Sequence, residues 1–234
     1  MISWDKIRKC FASLFFRPSE EVKPTPAAEF PLEEIRKFLP TFLSQGSETA
    51  FLDEIRHFLK SENYHPFYTQ ALHDKPYLFQ GDGLEGLLVI KLPDTAIALA
   101  KGLILSNSCD VSPENDRLFD ASLCYAPIFS FPTYLESLRK KFEKDRVDVH
   151  EQAIRRQAIT QIFFLPQGGK LDNDAIVFLD RIISVANDTL EREALADRRL
   201  FSLSDFGAWL LTLKLSIHLC RIRDKVDRVA GVVA

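Results

Sequence analysis

The sequence predicts an α+β protein in which a small β-rich centre is flanked by helices. Three patterns point to it. Apolar residues recur at helical spacing over 31–59, short apolar runs divided by turn residues fill 77–131, and a long apolar stripe at helical spacing runs over 204–229. A chain of 234 residues is long enough for one core with helical additions.

The elements follow in order. Ile2 to Phe16 reads as a short amphipathic helix, with Ile7, Phe11 and Leu14 on one face and Lys6 and Lys9 on another. It either packs on the body of the protein, docks onto a partner or rests on an anionic surface. Pro18, Pro24 and Pro26 make 18–30 an extended linker, which separates 1–17 from a single α+β domain over 31–234. Pro31 suits the first turn of a helix through Leu32, Ile35, Phe38 and Leu39, which Pro40 ends or kinks. Ser47 caps the next helix, whose Phe51, Leu52, Ile55, Phe58 and Leu59 form one buried stripe.

Tyr77 to Phe79, Leu87 to Leu92, Leu103 to Leu105 and Leu123 to Phe129 are the first predicted strands. Gly81, Gly83 and Gly86 break the first gap, Pro93-Asp94 the second, and Asn107 to Asp116 reads as a surface loop. Short strands at this spacing indicate a small barrel or a strongly curled sheet, with its core near 77–185. Pro132 to Lys144 and Val149 to Thr160 read as helices. Ile162 to Leu165, Ala175 to Leu179 and Arg181 to Val185 read as strands, with a turn at Pro166-Gln167-Gly168-Gly169. Ser204 or Asp205 caps the last helix, 204–229. Phe206, Leu210, Leu213, Ile217 and Cys220 lie on its stripe. Lys214, His218, Arg221, Arg223, Lys225 and Arg228 make its second half basic, as the helix dipole favours.

Composition narrows the function classes. A net charge of -3 gives no bulk attraction to nucleic acid, so RNA binding needs a local basic patch. Arg139 to Lys144, Arg155-Arg156 and Arg221 to Arg228 either converge on a phosphate-contacting surface or remain three solvated helix faces. Nineteen Phe fill a core at low rotamer cost, and a single Met argues against an adaptable Met-rich groove. Four scattered cysteines without a C-x-x-C pair argue against zinc and fit reduced thiols in a cytoplasm. The apolar run from Phe11 to Phe16 is too short for a signal-peptide core, and no stretch reaches membrane-span length. With no phosphate loop, Rossmann fingerprint or Ser-His-Asp order, no cofactor and no metal are expected. Asp172, Asp174 and Asp180 lack Ca-loop spacing and read as exposed acids. Asn63 to Tyr68 reads as an aromatic layer under the helices before a base-stacking platform.

One constellation stands out. Gln80-Gly81-Asp82-Gly83 precedes a strand, Lys101-Gly102-Leu103-Ile104-Leu105-Ser106-Asn107 follows, and Ala126-Pro127-Ile128 comes later. Over roughly 77–131 this resembles the core of the PemK/MazF-type mRNA-interferase toxins, which are small SH3-like barrels. Gly81-Asp82 matches their first element, Ser106 the end of the second and Pro127-Ile128 the third. The toxins carry Arg-Pro where Lys101-Gly102 stands, and Lys lacks the planar fork that grips a phosphate bidentately. The resemblance therefore implies an SH3-like barrel used for binding. Its alternative is a divergent endoribonuclease with Lys101 and Ser106 as catalytic pair. Ser106-Asn107-Ser108-Cys109-Asp110 is also similar to a Ser-polar-x-Cys-Asp motif in a group of bacterial proteins, a class met in toxin–antitoxin and phage-defence settings.

Cys109 beside Asp110 is a weak nucleophile pair, since a carboxylate disfavours the thiolate. The expectation is a buried Cys packed under a turn closed by Asp110 or Asn107. The preferred function is a non-catalytic module that recognises a protein partner. Ile7 and Phe11, the loop residues Asn107, Cys109 and Asp110, and the basic Arg221 and Arg228 are its candidate contacts, with RNA as a further ligand class.

Overall fold

In the computed structural model, residues 67–91, 96–115 and 118–219 are described. Within them eight strands run as β1 (Tyr68–Thr69), β2 (Asp82–Lys91), β3 (Ala96–Ile104), β4 (Ser122–Ser130), β5 (Ile162–Leu165), β6 (Ala175–Phe178), β7 (Ile183–Ala186) and β8 (Arg199–Leu203). Among the described residues four α-helices accompany them: α1 (Phe131–Arg139), α2 (Lys144–Arg155), α3 (Leu195–Arg198) and α4 (Asp205–Leu219). The protein is α+β. Its strands form one antiparallel sheet ordered β1-β8-β2-β3-β4-β6-β5, and β7 also pairs with β4. Among the described residues no pair joins β1 to β5, so the sheet is open rather than closed into a barrel.

Strand β4 is the pivot. One edge takes β3 at Tyr125–Pro127; the other takes β7 at Ser122–Tyr125 and β6 at Ile128–Ser130. Its alternate residues face opposite layers. Ala126 and Ile128 join Leu103, Phe163, Leu165 and Val177 beneath α4, whose Phe206, Leu210 and Leu213 close that layer. Phe129 joins Phe164, Ile176 and Phe178 beneath Phe131, Leu135 and Leu138 of α1 and Val147 and Ile154 of α2. Leu123 and Tyr125 form a third cluster with Leu84, Leu87, Ile104 and Leu195. Burial on both faces explains the unbroken apolar runs of β5 and β6.

Helix ends obey local rules. The Ser130 hydroxyl accepts from the Thr133 N–H, and the Phe131 N–H donates to Asp174 O. Helix α2 ends because Gln157 takes φ 58°, which turns the chain so that Ala158 N–H reaches Ala153 O and Gln157 N–H reaches Ile154 O. Buried Gln157 then acts as a strand edge: it accepts from Phe164 N–H at 3.1 Å and donates to Phe164 O at 2.7 Å. Ser204 caps α4, its hydroxyl accepting from Gly207 N–H.

Several expectations change. Tyr77 to Phe79 is not a strand, and β1 and β8 are strands that periodicity missed. Residues 131–144 hold a shorter helix and a turn, and the second helix begins earlier, at Lys144. The last helix is described as Asp205–Leu219; the rest of the predicted span, with Arg221 and Arg228, lies outside the described residues, as do Ile7, Phe11 and all of 1–66. Lys214 is not on a solvated face. It is fully buried, bonded to Gln157 Oε1 at 2.8 Å and to Ile162 O, and burial pulls its pKa well down.

Candidate functional site

The loop after β3 is built from backbone-directed side chains. The Asn107 carboxamide oxygen accepts from Cys109 N–H at 2.9 Å, closing an Asx-turn, and Asn115 donates to Cys109 O at 2.8 Å. Asp110 N–H donates to Asn107 O at 3.0 Å. Gln80, just before β2, fastens the loop: its N–H donates to Ser108 Oγ at 2.9 Å and its side chain to Leu105 O at 2.7 Å. From the other side Asn187 and Arg192 both donate to Val111 O. So Asn107 closes the turn as expected, but Cys109 is exposed rather than buried beneath it, because Val111 takes the inward position.

Ser106 faces β4. Its hydroxyl accepts from Cys124 N–H at 2.7 Å and donates its O–H to Ser122 O at 3.4 Å. Lys101 lies opposite a bulge in β2, where Glu85 and the positive-φ Gly86 interrupt the register between Leu84 and Leu87. Its ammonium is 3.8 Å from Glu85. Arg198 secures that bulge through Glu85 O, Gly86 O and Glu191 O. The hydroxyl of Ser106 and the ammonium of Lys101 thus serve separate local structures.

The predicted basic faces are also partly spent. Arg139 pairs with Glu151 at 3.1 Å, and Arg155 pairs with Glu151 at 3.1 Å and Asp174 at 2.6 Å while lying over Phe131 and Phe164. Asp174 is therefore an ion-pair partner and accepts from Gln167 N–H as well. Phe67 and Tyr68 pack with the core, where they touch Phe163, Phe201 and Phe206. Among the described residues no group of His, Cys, Asp or Glu could hold a metal ion, and no helix is long and apolar enough to cross a membrane.

A different feature offers a surface. Beyond the bulge, β2 and β3 leave the sheet as a two-stranded arm. β8 pairs with β2 only over Asp82–Leu84, and β4 pairs with β3 only over Gly102–Ile104. Among the described residues neither outer edge of 87–91 and 96–101 meets another strand. Leu88 pairs with Leu99 and Ile90 with Ile97, so all four side chains share one face. They are 39%, 65%, 46% and 59% exposed, whereas Leu87 and Val89 on the opposite face are buried. Tyr125 steadies the root by donating its hydroxyl to Leu88 O, and burial raises that phenol's pKa. Sequence reading missed this face because Leu87-Leu88-Val89-Ile90 is apolar on both sides, the signature of a strand covered twice. The alternation of Ala96, Ala98 and Ala100 with Ile97 and Leu99 was the available signal.

No protein-family model matches this chain, and comparison with curated proteins finds no match.

Proposed function

We propose that the protein is a non-catalytic binding module that recognises a protein partner through the open face of the β2–β3 arm. The carrying observation is the aliphatic tetrad Leu88, Ile90, Ile97 and Leu99, held out of the body on a ribbon whose edges pair with no other described strand. Contiguous exposed apolar surface of this kind marks interaction sites, and open strand edges add main-chain hydrogen bonds to a docked segment. The local commitments of Ser106 and Lys101 favour binding over the endoribonuclease alternative, as does the ion-pairing of Arg139 and Arg155.

The reading retains the likeness to the SH3-like barrel of the PemK/MazF type. Gly81-Asp82 enters β2, Ser106 follows β3 and Pro127-Ile128 lies within β4, three consecutive strands of one meander. A bacterial defence or toxin–antitoxin-like role in the cytoplasm belongs to the same proposal. The test is purification of the tagged full chain from its host at moderate salt, with mass spectrometry of what co-elutes and mixed RNA incubated with the same fraction. A stoichiometric protein lost in Leu99→Asp, with RNA intact, is the expected result. RNA cleaved by wild type and spared by Lys101→Ala would overturn it.

A further inference from the structure

We infer that the bulge in β2 is the hinge of the β2–β3 arm and that Arg198 is the positioning residue that locks it, so that the tetrad is presented in one direction. The arm has a single root. Leu84 pairs with Gly102, and in the same row Leu84 meets Arg199 of β8 while Gly102 meets Pro127 of β4. Among the described residues this is the last row with a strand on both outer sides. Pro127 has no N–H with which to extend the β3–β4 ladder, and β8 begins at Arg199. The first row of the arm is Leu87↔Ala100, so Glu85 and Gly86 of β2 stand against Lys101 alone. An extra residue of this kind bends its strand and sharpens the local twist. The lever beyond it is long. From Gly86 to Lys91 it extends about 17 Å, so a swing of about 10° at the bulge carries its tip about 3 Å. That displacement lifts Ile90 and Ile97 out of contact with a docked surface.

Two consecutive arginines divide the work at this row. Arg199 turns inward to Asp82. Arg198, one residue before β8, turns to the bulge, where the next rung of the β2–β8 ladder would have stood. Its guanidinium replaces that rung. Nε donates to Glu85 O at 3.1 Å and Nη2 to Gly86 O at 3.2 Å, while Nη1 donates to Glu191 O at 3.0 Å. Glu191 follows Leu190, which is buried with Leu84, Leu87 and Leu195, so the clamp joins the hinge to the body. A planar fork with fixed donor directions suits that task better than a flexible ammonium.

The other contacts at the root leave the direction open. The Lys101–Glu85 pair is 3.8 Å long and largely exposed, so it restrains little. Tyr125 holds one point of the arm, Leu88 O, about which the ribbon can still turn. Glu85 and Gly86 are exposed, so water replaces Arg198 at their carbonyls with little loss of stability. What Arg198 supplies is direction. That this direction matters to a partner rests on the binding function proposed above; the hinge itself does not.

The test measures the distance between two spin labels in the full chain, carried by genetically encoded amino acids at position 96, near the tip of the arm, and position 136, on an exposed site of α1. Wild type should give one narrow distance. Arg198→Ala should widen the distribution by about 3 Å or more, the tip displacement of a swing of about 10° on this lever. Its circular dichroism and urea midpoint should stay those of wild type. An unchanged distribution would overturn the inference. Loss of folding would overturn it too, because the guanidinium would then be a prop of the body. Partner recovery is read on the same variant by the purification described above. It should fall about tenfold as the competent orientation becomes a minor one. Undiminished recovery with a widened distribution would overturn the positioning role. If wild type recovers no protein, the binding function fails, and the distances alone decide the hinge.

Discussion

Strands β5 and β6 and the β2–β3 arm look alike in sequence and end in opposite environments. Ile162-Phe163-Phe164-Leu165 is buried at every position, its alternate residues entering two layers. Leu87-Leu88-Val89-Ile90 is buried only at alternate positions. The difference lies in what each strand is packed between. β5 and β6 have α4 on one side and α1 with α2 on the other, while the arm has left the sheet and has one described cover. An apolar strand in the body is therefore an element of stability, and the same composition in the arm is a surface.

The largest effect that would test this contrast is expected where the body is pinned. Arg199 is fully buried; it donates to Asp82 at 3.1 Å and to the carbonyls of Leu72, His73, Lys75 and Tyr77. Asp82 also accepts from Ser202 and from Phe79 N–H, and burial pushes its carboxyl above the ordinary range against these donors. Arg199→Ala should cost about 3–5 kcal/mol in urea unfolding, because it strands a buried carboxylate and four carbonyls. An unchanged midpoint would show the pin to be dispensable.

Gln157→Ala comes next. It removes both side-chain bonds to Phe164 and a partner of Lys214, and should cost about 2–3 kcal/mol by the same measurement. His150 gives a smaller, pH-dependent effect. Burial, with Arg146 nearby, holds its pKa below the ordinary value, and its ring nitrogen bonds the Tyr134 hydroxyl at 2.9 Å. The folded state thus binds this proton less readily than the unfolded chain. Its contribution is complete above about pH 6.5 and declines as pH falls toward the depressed folded value. Stability of wild type should fall more steeply over that window than that of His150→Leu; parallel curves would remove His150 from the account.

Leu99→Asp should change stability least, within about 0.5 kcal/mol, as expected of an exposed site. It should nevertheless abolish partner recovery. A large loss of stability instead would mean that the arm belongs to the body and that the contrast is false.

Much of the fold was legible locally. The runs at 162–165 and 175–179, the loop after β3, the Ser204 cap and the apolar stripe of α4 all follow from periodicity and capping chemistry. The short strands β1 and β8 were not, since β1 has two residues and the brief Leu200–Leu203 run abuts the Ser204 cap of α4; they are strands because β2 and each other complete their hydrogen bonds. The candidate site was legible only in part. Asn107 could be read as a turn-closing residue, but the exposure of Cys109 depended on Val111 turning inward.

The α+β class, the order of most elements and the closures made by Asn107 and Ser204 could be read from the chain alone, because each depends on residues within a few positions of one another. Folding in three dimensions was needed to bury Lys214 and Arg199, to commit Lys101 and Ser106 to separate local structures, and to turn Leu88, Ile90, Ile97 and Leu99 outward. Burial depends on which distant layers arrive to cover a strand, and spacing along the chain does not encode that.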